Sequence, residues 1–313
     1  MRFLLPFLIT GLLAGGTSLL AGTSDVWHWA FPNTPVPTGS ATIPLQIRGS
    51  RQTYTDADIH NPRHAIDWFP DRHPPMPKIV QTGHETVFAC GYCHQPDGNG
   101  RPENSALTGL SPIYIAEQVR HFADGSRQAA VPGNKPAMTM ATIAKGVNEE
   151  EIATAASYFG GLRFASHVRV VEVLEVPAMK QEAFVYRPQD GAMENLGVRI
   201  IEVPDNFEQF EMRDPNVRYT AYVPRGSVAA GRKLAVSGGP AGQPCTVCHG
   251  AGLKGGIAPP LAGRSPTMLF RQLAGFKTGA RANPQAAPMR AITAELDGKQ
   301  MIALAAYAAT QKP

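Results

Sequence analysis

Cys90-Gly91-Tyr92-Cys93-His94 and Cys245-Thr246-Val247-Cys248-His249 decide the fold of this chain. Each is a C-x-x-C-H unit, and together they use all four cysteines of the 313 residues. The spacing has a chemical reason. Thiols one helical turn apart reach the two vinyl groups on one edge of a porphyrin and form thioethers, and the following imidazole meets the iron from the same side. A disulfide framework needs no His after each pair, and two staples do little for a chain this long. A thioredoxin-like dithiol expects a preceding strand in a βαβ pattern, whereas Gly, Pro and polar residues surround these pairs. Zinc held by four thiols has to join pairs 155 residues apart. What remains is two covalently attached c-type haems, bound through Cys90, Cys93, His94, Cys245, Cys248 and His249.

Outward from the motifs the sequence repeats itself. Leu107-Thr108-Gly109-Leu110-Ser111-Pro112 corresponds to Leu261-Ala262-Gly263-Arg264-Ser265-Pro266. Each opens a helical stretch, one holding Gln118, Phe122, Gly125 and Arg127, the other Gln272, Phe276, Gly279 and Arg281. Ser followed by Pro fits an N-cap with Pro in the first turn, and each helix is expected to stop at its Gly. Closing helices are predicted at 149–159 and 298–309, with Tyr158 and Tyr307 in the same place when Asn148 is laid on Asp297.

That register sets Met140, 46 residues after His94, opposite Met289, 40 after His249, each preceding its closing helix by a similar short loop. A Met thioether is neutral, soft and flexible enough to take the sixth position on iron, where it raises the reduction potential. The register favours Met140 over Met138, two residues away, and His73, Met76 and His121 stay open as alternatives at the first iron. Met179, Met193, Met212, Met268 and Met301 read as core.

These features resemble the diheme class I cytochromes c, in which two small haem-centred folds stand in tandem. The likeness rests on the two haem motifs, Pro259-Pro260-Leu261-Ala262-Gly263, the Gln-x-x-x-Phe helices, Met140 and Met289, and the Tyr-bearing closing helices. It spans about residues 80–163 and 227–311. The resemblance implies a mainly α fold of two cytochrome domains and an exported carrier of single electrons, with no catalytic residue. It implies that the free ring nitrogen of each haem His donates to the carbonyl two residues before the Leu: Pro259 in the second copy, Ser105 in the first. Two rivals stay open. One is a diheme peroxidase with an open iron position, against which the paired methionines argue. The other is the cytochrome subunit of a periplasmic dehydrogenase or oxidase complex.

The expected organisation is a signal peptide at 1–22, a Pro- and Trp-rich extension at 23–79, cytochrome domains at 80–163 and 227–313, and a β-rich insert at 164–226 between them. A basic start, the run from Phe3 to Leu13 and the small residues beyond read as a secretory signal, hence periplasmic export. An uncleaved anchor is the alternative and the only membrane contact expected. Pro6 and several Gly make it a poor one against the ~20 apolar residues a span needs. In the insert, 167–176, 183–187, 198–203 and 218–223 are rich in β-branched or aromatic residues and read as short strands. The extension reads as polyproline-like chain whose aromatics cover a haem domain.

The net charge of +4 is unevenly placed. Lys and Arg number eleven against thirteen acids in 24–163, seven against ten in 164–226, and ten against two in 227–313. The C-terminal excess points to steering of an acidic redox protein rather than to nucleic acid, for which an exported haem protein has no use.

Overall fold

The computed structural model describes residues 25–35 and 41–313. The signal peptide or anchor expected at 1–22 lies outside the described residues, and no described helix is long and apolar enough to cross a membrane. The chain is mainly helical. The lead holds β1 (Pro44–Leu45), β2 (Tyr54–Thr55), α1 (Asp56–Ile59) and α2 (Lys78–Gln81). The first haem motif forms α3 (Cys90–His94), followed by α4 (Pro112–Ala123), α5 (Lys135–Gly146) and α6 (Glu149–Gly161). The insert contributes β3 (Val168–Val173), β4 (Glu175–Glu182), β5 (Val185–Asn195), β6 (Ile201–Pro204), α7 (Phe207–Glu211) and β7 (Tyr219–Pro224). The second haem region holds α8 (Ser227–Ser237), α9 (Cys245–His249), α10 (Pro266–Thr278), α11 (Ala287–Ala294) and α12 (Gly298–Thr310).

The helix starts follow local chemistry. Ser111 Oγ accepts from the Tyr114 N–H and Ser265 Oγ from the Met268 N–H, both at 3.1 Å, each with Pro in the first turn. Asn148 and Asp297 cap α6 and α12 and are answered by the side chains of Glu151 and Gln300. α10 ends on Gly279 in the left-handed region, as expected, whereas α4 ends one residue earlier than its Gly, on Asp124. Met140 lies in α5 and Met289 in α11, each separated from its closing helix by a short connection. Asn134 caps α5, with Pro136 in its first turn, and Pro288 lies in the first turn of α11, so both segments carry their own start signals.

The first core joins Val80 of α2 and Val87 to Ile115 of α4, Ile143 of α5, and Ile152 and Phe159 of α6. The second packs Phe270 and Ala274 of α10 against Met301, Ile302 and Ala305 of α12. α8 crosses α12 at Gly231, where a Cβ would collide with the Ala303 carbonyl oxygen. Gly231→Ala is therefore expected to lower stability by about 3 kcal/mol, seen as a lower urea midpoint. Gly161→Ala, whose Cβ meets nothing, is the control and should leave the midpoint where it is or raise it slightly.

The insert is a sheet, not a tether. β3 and β7 pair in parallel, with Val168 opposite Tyr219, and β6 joins β7 antiparallel. Alternation along the strands gives the sheet two apolar faces. Val168, Val170, Ala221 and Val223 lie against the second core, while Val173, Tyr222, Ile201 and Val203 face Val176 and Tyr186 of the β4–β5 hairpin. That hairpin runs well beyond the 183–187 strand expected from sequence, because Pro177 of β4 and Pro188 of β5 interrupt the composition while pairing resumes past a register shift between Pro177 and Met179.

The lead is folded rather than extended. Trp27 meets Phe270 edge-on with ring centroids 5.9 Å apart, and Trp29 lies 4.6 Å from the same ring. Ala30 and Phe31 are buried in that second core with them. Further on, Ile47, Ile59, Ile66 and Trp68 make a separate cluster, anchored by the Trp68 indole N–H donating to the Met212 carbonyl at 2.7 Å. These aromatic and aliphatic side chains thus find buried neighbours, which an extended chain would deny them, while Ile43 stays exposed.

Candidate functional site

A cavity of about 440 Å³ opens beside α3, within the ~300–1,000 Å³ typical of small-molecule and cofactor sites. Cys90, Cys93, His94 and Met140 line it together with the apolar side chains of Leu107, Ile115 and Ile143. His94 Nδ1 stands 2.8 Å from the Ser105 carbonyl, a place only an N–H fills, so the Nε2 lone pair is left free for a metal. His249 repeats this at 2.7 Å from the Pro259 carbonyl. These are the two carbonyls the family resemblance implied, and the change from Pro to Ser in the first copy keeps the bond. Burial draws both imidazoles below the usual histidine range and so favours the neutral, ligating form. Burial pushes the Cys90 thiol up to about 12.

The alternatives at the first site separate by position. Met140 is half-buried and on the cavity wall, whereas Met138 is 59 % exposed and does not line it. His73 is held by Asp67 at 3.1 Å and by the Tyr158 hydroxyl at 3.0 Å. His121 Nδ1 faces Ser126 Oγ at 3.1 Å, and Met76 packs against the first core. Cys245, Cys248, His249 and Met289 stand outside this cavity, Met289 half-buried on α11. The structure therefore gathers the first expected set of four on one cavity and leaves the second spread over α9 and α11.

Between the two halves lies a device that the sequence displayed as a repeat without showing its purpose. Arg127 donates to Gln118 Oε1 at 2.8 Å and to Gln272 Oε1 at 3.0 Å. Arg281 donates to Gln272 Oε1 at 3.1 Å and to Gln118 Oε1 at 2.7 Å. Each arginine also lies over the phenylalanine of its own copy of the repeat, Phe122 at 4.6 Å and Phe276 at 4.1 Å. The backbones beside them pair, Gln128 N–H to the Ala280 carbonyl at 2.7 Å and Ala282 N–H to the Ser126 carbonyl at 2.8 Å. The Gln-x-x-x-Phe-x-x-Gly-x-Arg repeat is thus a local two-fold contact, each copy reading the other. The signal was present in the sequence as identical spacing in both copies.

Arg127, Arg281 and Arg264 all line the cavity, and Arg264 donates to the carbonyls of Ala106 at 3.0 Å and Thr108 at 2.8 Å. Among the described residues no carboxylate forms an ion pair with any of the three. Burial, and then the Arg281 charge, pull Arg127 down to about 9, and burial pulls Arg264 to about 10. Buried positive charge without a protein anion fits a ligand that brings its own carboxylates. Thiols one turn apart, a neutral imidazole with a free nitrogen, a thioether on the same cavity, an apolar wall and these cations together fit a covalently attached haem with its two propionates.

No family model matches the chain. Over 78 residues it is 35 % identical to cytochrome c-554(548) of Halomonas halodenitrificans, a match covering 25 % of this chain and 88 % of that protein. Over 99 residues it is 32 % identical to the cytochrome subunit of sulfide dehydrogenase of Chlorobaculum tepidum, covering 31 % and 83 %. The chain belongs to the diheme c-type cytochromes. Cytochrome c4 of Azotobacter vinelandii is similar over a longer stretch, 27 % identical across 164 residues, 47 % of this chain and 73 % of that one. This cytochrome carries two covalently attached haems, transfers electrons, and has redox proteins as its partners.

Proposed function

We propose that this diheme cytochrome is a periplasmic carrier of single electrons whose irons are held by His94 with Met140 and by His249 with Met289, and that it transforms no substrate. The observation that carries the reading is the cavity shared by Cys90, Cys93, His94 and Met140. When bound, haem would supply a one-electron couple, and a thioether ligand from Met140 or Met289 would raise its potential. The chain's own contribution is positional. The carbonyls of Ser105 and Pro259 fix the imidazole rings and raise their basicity. Leu107, Ile115 and Ile143 keep water from the first site, and the three arginines balance acidic substituents. Two cytochrome domains at 80–163 and 227–313, joined by the insert at 164–226, and a cleaved leader at 1–22 complete the proposal.

If Met140 and Met289 hold the irons as proposed, no ligand position would be left for peroxide, which makes the peroxidase reading the weaker one. The steering reading of the charge needs a correction. Of the ten basic residues in 227–313, Arg264 and Arg281 are buried and Arg271 turns inward to the carbonyls of Ala30 and Pro102. Lys277, half-buried, donates to the Thr293 and Ala294 carbonyls, and Arg232, Lys233, Lys254, Arg290, Lys299 and Lys312 remain exposed against Glu295 and Asp297, still a positive surface suited to an acidic partner.

Purified protein from a host that attaches haem is expected to give two haems per chain by the pyridine haemochrome method, two equivalents of the weak thioether-to-iron band when oxidised, and no peroxide turnover. One such band, or none, would refute the paired His/Met assignment. A second reading, the cytochrome subunit of a dehydrogenase, is favoured by the likeness to the Chlorobaculum tepidum subunit. Copurification with a flavin or quinone dehydrogenase from the native host would establish it, and the electron relay would be unchanged.

A further inference from the structure

The two haem-bearing turns differ in what lies over them. Tyr92 occupies the middle of the first motif and Val247 the corresponding place in the second. Over Tyr92 lies the Arg213 guanidinium, 3.7 Å from the ring centroid and only 7 % exposed as a residue. It donates to the Tyr92 carbonyl at 2.8 Å and to the Ile59 carbonyl at 3.0 Å, tying insert, lead and first haem turn into one assembly. Beside it Arg101 lies 3.8 Å over Phe210 and donates to the Phe210 carbonyl. The lead closes the other side. The Ala89 N–H donates to the Pro62 carbonyl at 2.9 Å, and a Cβ at Gly91 would stand 2.9 Å from the Ala65 methyl.

The second motif has no comparable roof among the described residues. Val247 is 62 % exposed. Ile257 is 91 % exposed, and the Ala258 N–H beside it donates to the Cys248 carbonyl at 3.0 Å. Val236, 58 % exposed, ends the α8 helix that packs against α9. Arg232 and Lys233, four and three residues before Val236 on α8, and Lys254, three residues before Ile257, are exposed as well. Large exposed apolar side chains rimmed by charge of one sign mark an interaction surface, and the sign of the rim selects its partner. Electron tunnelling falls steeply with edge-to-edge distance, so an open thioether edge is where exchange is fast.

Resting on the reading that both haems are bound, we propose that the lead and the insert seal the thioether edge of the first. Exchange with other proteins then passes through the second. Its port is the Val236, Val247 and Ile257 surface rimmed by Arg232, Lys233 and Lys254, and the occupant is an acidic one-electron protein.

The test uses the diheme protein and reduced flavodoxin, an acidic one-electron protein, as the probe in stopped flow at low salt. Ile257→Glu and Lys254→Glu are each expected to slow reduction about tenfold, an effect that fades near about 0.5 M salt. Lys145→Glu, exposed on the first domain, should change the rate less than about twofold. Arg213→Ala, which removes the roof, should speed reduction of the first haem by uncharged hydroquinone severalfold. Unchanged flavodoxin rates in the two port variants, with two haems per chain, overturn the port. Unchanged hydroquinone kinetics in Arg213→Ala overturn the seal. Fewer than two haems per chain in the parent protein overturn the reading beneath both.

Discussion

Replacing Met140 with Leu removes one of the two equivalents of the thioether-to-iron band from the oxidised spectrum and lowers the potential of one haem by about 100 mV or more, given that axial ligands set haem potentials over ~0.8 V. Met138→Leu changes neither. The contrast follows from placement. Two residues along α5 is more than half a turn, so the side chains point to different faces. Met140 faces the cavity that holds His94, while Met138 is 59 % exposed. Leu matches Met in volume, so the core around Ile143 keeps its packing and the loss is that of the sulfur alone. Optical redox titration of the two variants beside the parent reads both quantities. The assignment fails if Met138→Leu carries the loss, or if Met140→Leu retains two bands.

Arg281→Leu is the second large effect, with two readouts that separate. Gln118 and Gln272 each lose one of two donors, the Phe276 contact goes, and the Arg127 guanidinium loses its counterpart across the domain contact. Buried acceptors left short of donors cost ~1–3 kcal/mol each, so a total loss of about 2–4 kcal/mol is expected as a lower urea midpoint. The potentials should fall as well, because removing a positive charge favours the more positive, oxidised form of a haem. A unit charge ~10 Å away through an effective dielectric of ~20 is about 1.7 kcal/mol. At 59 mV for a tenfold change in a one-electron couple, that amounts to about 70 mV. Arg281→Lys keeps the charge but loses the planar fork, so stability should drop while the potentials hardly move. A potential unaltered by Arg281→Leu would remove the arginines from any part in tuning the haems.

Much of the site was legible because its chemistry is local. A five-residue turn carries both thiols and the imidazole, and Ser111-Pro112 and Ser265-Pro266 announce helix starts that the structure reproduces bond for bond. Register puts Met140 forward, since a tandem repeat acts as its own alignment, and the structure sets that side chain on the cavity wall. What escaped depends on contacts between distant segments. Nothing in the run from Trp27 to Phe31 says that it fills the core of a domain about 240 residues later, because that core's vacancy belongs to Phe270 and α12. Charge counting treated every arginine as surface, yet Arg264, Arg271 and Arg281 spend their donors on carbonyls and amides inside. For Arg281 the cue was its recurrence as Arg127, whereas Arg264 and Arg271 stand opposite Leu110 and Glu117 in the repeat and carry no such cue. The β4–β5 hairpin exceeded its sequence signal because pairing carries strands through prolines that composition reads as breaks.

The seating of Trp27 and Phe31 beside Phe270 has a practical corollary for anyone wishing to study one haem at a time. Excising 227–313 would strip the fragment of Trp27 and Phe31, as well as of Val168, Val170, Ala221 and Val223 from the strands that face it. Such a half would be born with a hole in its middle, and the other half would carry orphaned tryptophans into water. The polypeptide closes on itself like a clasp whose first link fastens the last, so melting should be a single cooperative event rather than two successive ones.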